Sequence, residues 1–349
     1  MIHTKKTFAL SLLFVLLVIV AGCKKEPEPT PSEKGPQRPR YMTAMAGKVY
    51  VTCYNPTSVI RIDTASLKVE AVCRLGNYQP EGIAIAGNKL FVASSWVYDA
   101  NSNVLYDNKV YVIDINTFRT VGTIEVGLNP ERLKAIDGNH LIVCCNGNYG
   151  SVTGNSYIID ATTLTATATN IDISGMDVYN GVIYAYSAPY NVPDKRFLKL
   201  NPTTLADTTI LEQCNIENPY GLNVIDGDIY LTTATASAKG DVYRLSPAGE
   251  QRWMSEAGVY TSKVVALGDG SAYVLNQGFW GGNDASLSRV DLATGQIDNN
   301  VFSAANARNL GDIAQDILVY GSKAYVTVTF SNTIEVVSIK DNTSKRINL

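Results

Sequence analysis

Residues 46–63 read AGKVYVTCYNPTSVIRID. A small-residue turn, Ala46–Gly47, opens an apolar strand, the loop 54–58 closes it, and Ser58–Asp63 runs back as a second strand that ends at an Asp-led turn. The unit recurs as AGNKLFVAS from 86, DGNHLIVCC from 137, NGVIYAYS from 180, DGDIYLTT from 226, GDGSAYVLN from 268 and GSKAYVTV from 321. Each copy has its returning strand: KVYVID, SYIID, RFLKL, DVYRLS, LSRVD or TIEVVSI. A polar-alternating third strand follows the return, and an apolar strand such as GIAIA, RLKAI or DILVY precedes the turn. Seven units of four antiparallel strands at this period predict an all-β, seven-bladed β-propeller. RYMTAM reads as the innermost strand of blade 1 and TSKRINL as the outermost of blade 7, so the ring closes by packing, without a swapped strand.

The propeller is expected over residues 41–349. Residues 1–22 differ: MIHTKK is positively charged, and FALSLLFVLLVIV is apolar but too short to span a bilayer, which is the pattern of a signal peptide. It ends in VAGC (20–23), which resembles the lipobox of bacterial lipoproteins and implies lipidation at Cys23. Residues 24–40, KKEPEPTPSEKGPQRPR, hold five prolines and no large apolar residue. They read as a semi-extended tether, with a reach on the order of 50 Å.

Composition excludes several functions. The net charge of −3, or −5 without Lys5 and Lys6 (−3 − 2), offers no basic footprint for nucleic acid. One histidine, His140, remains beyond the leader, so a histidine triad or multi-histidine zinc site is excluded and no metal or cofactor is expected. Cys53, Cys73, Cys144, Cys145 and Cys214 lie in apolar patterns and read as buried thiols, one disulfide remaining open.

VYVTCYNPTSVIRID and AYVTVTFSNTIEVVSI resemble the YVTN-type repeats of YncE-like propellers. More narrowly, GLNPERLKAIDG with CNGNYGSV, NPYGLNVIDGDIYLT with GDVYRLSPAG, and LGDIAQDILVYGSKAYV resemble surface lipoproteins of Bacteroidota. That group includes a cobalamin-capturing lipoprotein. The resemblance therefore implies an outer-membrane, surface-exposed protein that captures a ligand, cobalamin or another corrinoid, and passes it to a TonB-dependent transporter.

The two faces of such a ring differ in loop length. On one, every turn is minimal; Asp63, Asp114, Asp160 and Asp291 begin turns there, and His140 falls there too. On the other, long loops carry Tyr, Trp, Asn and Gly, a recognition composition. The longest reads as a sixteen-residue connection, Ser94 to Lys109. Candidate ligand contacts are Trp96, Tyr98, Arg132, Asn148, Tyr149, Tyr190, Tyr220 and Trp280, which come from several blades and so converge only around the axis. Arg132 follows an inter-blade proline turn, where its fork can reach amide or phosphate oxygens. No catalytic motif appears. Glu81, Asp107, Glu131, Asp194, Glu217, Asp284, Asp312 and Asp316 could supply a carboxylate pair but are expected to be solvated. The leading expectation is a lipid-anchored, outward-facing binding module. Glycan binding, a propeller lyase or lactonase using rim carboxylates, and a protein scaffold are the alternatives.

Overall fold

The computed structural model describes residues 35–188, 195–211, 216–235 and 238–349. They form seven four-stranded antiparallel sheets, each in simple sequence order. The innermost strands, blades 1 to 7, are Gln37–Met45, Pro80–Ala86, Pro130–Ala135, Gly175–Tyr179, Pro219–Ile225, Thr261–Ala266 and Ala314–Tyr320. Each second strand, such as Lys48–Asn55 or Lys323–Val328, is buried almost throughout. Neighbouring blades cover both of its faces, which explains why these strands read as continuous apolar runs rather than alternating ones.

Seven apolar clusters fill the seven gaps between adjacent blades. Met42, Val49 and Ile60 of blade 1 pack on Tyr325 and Ile334 of blade 7, so packing closes the ring, and Ser344–Asn348 is the outermost strand of blade 7 as expected. Blade 6 has only Ile297–Asp298 as its outer strand; the helix Val301–Asn306 follows and buries Phe302 between blades 6 and 7. No periodicity in the sequence announces that helix. Cys53, Cys73, Cys144 and Cys145 are buried free thiols, and Cys214 lies outside the described residues.

Two boundaries are corrected. The first inner strand begins at Gln37, so Gln37–Arg40 belong to the propeller rather than the tether. Ser94–Lys109 is not a structureless loop. Strands Lys89–Tyr98 and Val104–Asp114 continue past the body of blade 2 as a hairpin pairing Trp96 with Tyr106 and Tyr98 with Val104. Only the turn 99–103 is left, and the Asp99 carboxylate caps it by accepting from the Asn101 and Asn103 N–H groups at 2.8 Å each.

Blades 2 and 3 meet closely at Gly82. A Cβ there would lie 2.5 Å from the Glu131 carbonyl oxygen and 2.8 Å from the Leu133 nitrogen, both backbone atoms that cannot swing aside. Gly82→Ala should therefore cost about 1–3 kcal/mol, the scale of core overpacking. Denaturation in urea measures it, and a neutral result would contradict this packing.

On the minimal-turn face, Asp114, Asp160 and Asp291 accept hydrogen bonds from the backbone N–H groups of Thr117, Thr163 and Thr294 at 2.8 to 2.9 Å. These bonds hold the three carboxylates below their ordinary range. A depressed folded-state value means that the unfolded chain takes up protons first. The contribution is thus complete above about pH 4 and is lost as the pH falls further. The melting temperature should drop below pH 4, and less steeply in Asp291→Asn; identical acid profiles would count against these turns.

Candidate functional site

Inner strands start on the long-loop face and run toward the minimal-turn face. Near their starts six of the seven carry a β-bulge, at Arg40–Tyr41, Glu81–Gly82, Glu131, Tyr220, Ser262 and Gln315. A bulge leaves one residue unpaired and re-aims its side chain. Here it turns polar residues from successive blades toward the axis. In five of the six, the bulge follows a residue of positive φ: Arg38, Asn129, Asn218, Tyr260 or Ile313. Threonines of the second strands support the offset, since Thr52, Thr232 and Thr327 Oγ1 accept from the N–H groups of Tyr41, Gly221 and Asp316 at 3.0 Å each.

Together these residues ring an axial cavity of about 460 Å³, lined from all seven inner strands. That size lies within the range of small-molecule sites. At its mouth a chain of hydrogen bonds passes from blade to blade. Arg40 of blade 1 donates to Glu81 of blade 2 through Nε at 3.1 Å and Nη2 at 3.0 Å, and through Nη1 to Gln315 of blade 7. Gln277 of blade 6 donates to Gln315 Oε1 at 3.1 Å, Tyr220 of blade 5 to Gln277 Oε1 at 3.3 Å, and Tyr186 of blade 4 to the Tyr220 carbonyl at 2.7 Å. Six blades are joined in this way. Among the described residues this chain bypasses blade 3, which the Ser95 hydroxyl of blade 2 holds separately by donating to Asn129 Oδ1 at 2.5 Å.

Blade 3 supplies Arg132. Its side chain lines the cavity yet makes no hydrogen bond or ion pair with any described residue. Burial works against its charge, but Glu131 and the hydroxyls of Tyr186, Tyr41 and Tyr220 more than offset that, and its pKa lies above the ordinary value. Five donors in a fixed fork are thus left without a described partner in a residue that lines the cavity.

Below the mouth lies a charged layer. Lys134 pairs with Asp177 and Lys263 with Asp316, both at 2.6 Å. Asp177 also accepts from the Val224 N–H, Asn223 from Val264 and Asp316 from Met42, at 2.9 Å each. These bonds stitch blades 3 to 7 and blade 1 in turn.

The candidate contacts fall into two zones. Arg132 and Tyr220 line the cavity, and Tyr220 meets Tyr260 edge-on at 5.0 Å. Tyr98, Tyr149 and Trp280 are not among the residues that line the cavity; at 57 %, 51 % and 50 % exposure they stand on the surface, Tyr149 against Tyr106 and Trp280 against Phe330. Trp96 lies between, edge-on to Tyr98 at 5.0 Å and to Tyr54 at 6.3 Å, with Tyr54 stacked under Arg40 and bonded to Glu81. Asn148 is occupied by its own loop, its Oδ1 accepting from Gly150 and Val152. Tyr190 and Cys23 lie outside the described residues.

The expectation of solvated rim carboxylates is corrected for three of the eight, and Asp194 lies outside the described residues. Glu81, Asp107 and Asp316 are buried, because each has a fixed partner: Arg40, the Ser94 hydroxyl at 2.6 Å and Lys263. Arg40, Tyr41, Gln277 and Gln315 were missed as site residues. A signal was present: Pro39, Pro80, Pro130 and Pro219 each sit just before the bulge residue of an inner strand.

Comparison with known proteins places the chain among β-propellers. No family model matches it, and no curated protein does. Among solved structures it is similar to hydrazine synthase of Kuenenia stuttgartiensis, with a TM-score of 0.61 and 14% identity over 87% of this chain and 96% of that one. It is also similar to the computationally designed protein Ika8, with a TM-score of 0.53 and 9% identity over 89% of this chain and 83% of that one. At such identities the likeness concerns the fold alone.

Proposed function

We propose that the protein is a binding module that takes part of a small molecule into the axial mouth on its long-loop face. The observation that carries this reading is Arg132, a cavity-lining residue whose guanidinium has no described side-chain partner, on the one blade that the hydrogen-bond chain around the mouth bypasses among the described residues. A ligand oxygen at Arg132 would fill that gap, and the amides and hydroxyls of Gln277, Gln315, Tyr41 and Tyr220 would surround it.

The resemblance to YncE-like surface lipoproteins supplies the finer version. In it the chain is lipid-anchored through Cys23 at the outer membrane and captures a corrinoid for a TonB-dependent transporter. A corrinoid is larger than the cavity, so its ring would lie across the mouth near Trp96 while a phosphate or amide oxygen reached down to Arg132. Mixing the protein with cyanocobalamin and desalting tests this version, since colourless protein would refute it.

The exposed Trp280 and Tyr98 favour glycan binding as the second reading, because aromatic faces stack on sugar rings. Affinity electrophoresis against a polysaccharide panel separates the two. Retardation abolished by Trp280→Ala and untouched by Arg132→Ala would favour the glycan.

A further inference from the structure

The mouth and the layer below it hold four cations, and three of them are already neutralised. Arg40 is paired with Glu81 at 3.0 Å, Lys134 with Asp177 and Lys263 with Asp316. Arg132 alone lacks an ion pair among the described residues. Its donors are open, but its surroundings are not positive. Glu131 precedes it on the blade 3 bulge, forms no ion pair with it, and is kept in place by Asn146 Nδ2, which donates to its carboxylate. The charge of Glu131 is felt by Arg132 and also by Tyr41, Tyr186 and Tyr220, which all lie around the mouth. Glu81 stands on the adjacent blade, buried.

An oxygen ligand at Arg132 therefore meets unused hydrogen-bond donors and a nearby carboxylate field. One negative charge makes a charge-assisted hydrogen bond to the guanidinium, the stronger kind. A second charge raises the desolvation cost steeply, while repulsion from Glu131 cancels part of its extra attraction to Arg132, so the dianion gains less than it loses on leaving water.

We infer that the axial site accepts a ligand group bearing a single negative charge, a carboxylate or a phosphodiester, and rejects dianions such as phosphomonoesters, with Glu131 as the residue that sets the limit. The inference rests on the proposed axial binding site and narrows its ligand class.

The test uses two matched probes: methyl phenyl phosphate, a monoanion, and phenyl phosphate, a dianion at pH 8. Ligand-detected NMR gives the dissociation constants for the wild type, Glu131→Gln and Arg132→Ala. The glutamine substitution keeps an oxygen acceptor for Asn146 and loses only the charge. The wild type should hold the monoanion about tenfold tighter, which corresponds to about 1.4 kcal/mol. Glu131→Gln should narrow that gap severalfold, and Arg132→Ala should weaken both probes. If neither probe binds, or if binding survives Arg132→Ala intact, the axial site itself is refuted. If both bind through Arg132 but the wild type holds the dianion as tightly as the monoanion, the charge limit is refuted and the site stands. An unchanged gap in Glu131→Gln removes Glu131 from the role.

Discussion

Replacing Glu81 with alanine should lower the stability of the propeller by about 3 kcal/mol, the lower end of what removing one partner of a buried ion pair costs. The side chain of Glu81 is 3 % exposed and that of Arg40 only 15 %, so neither charge reaches water when its partner is lost. Burial pushes the Glu81 carboxyl above its ordinary range even with Arg40 against it. Three contacts go together: the two-nitrogen bond from Arg40, the bond from the Tyr54 hydroxyl, and through Tyr54 the edge contact with Trp96 at the base of the hairpin. Arg40 would be left with the Gln315 amide and the rings of Tyr54 and Tyr41. Urea denaturation should show the loss, and a paired Arg40→Met/Glu81→Leu variant should recover much of it, because the cost lies in the stranded charge rather than in missing attraction. A loss below about 1 kcal/mol in the single variant would mean that water enters the mouth far enough to solvate Arg40.

Arg132→Ala should act in the opposite way, weakening ligand binding by about 1–3 kcal/mol, or roughly 5- to 150-fold, with little change in melting temperature. Its guanidinium supports no other described side chain, so its removal strands no buried partner. His140→Ala and Asp291→Ala, on the minimal-turn face, should leave affinity unchanged. Calorimetric titration and thermal melts on the same preparations separate the two effects. A large fall in melting temperature for Arg132→Ala would make it a structural residue.

The propeller was legible because its defining signal is local and repeated. A turn, a buried strand such as VYVTC or AYVTV, and its return can each be read within about ten residues. The hairpin at 94–109 was misread for an equally local reason. Ser94 and Ser95 interrupt the apolar run, and the pairing shifts register between Ser94 and Trp96, so the strand pattern breaks although the strand continues. The site was only partly legible. Arg132 and Tyr220 could be placed near the axis from the proline turns before them, but Arg40, at once the last tether residue and the first of RYMTAM, did not stand out because RPR continues a proline-rich, charged stretch. What makes Arg40 part of the mouth is its contacts with Glu81 and Gln315, 41 and 275 positions away, and no local pattern encodes these. That Tyr98, Tyr149 and Trp280 lie outside the cavity lining was hidden too, since loop composition places aromatics on a face without fixing which of them reach the cavity.

The most direct measurement is a crystal structure of the protein grown with cyanocobalamin. Ligand density should cover the axial mouth on the long-loop face, with a phosphate or amide oxygen within about 3 Å of the Arg132 guanidinium and the corrin ring outside the cavity near Trp96. Density seated on the minimal-turn face, or on the outer strands with the mouth empty and Arg132 untouched, would contradict the account.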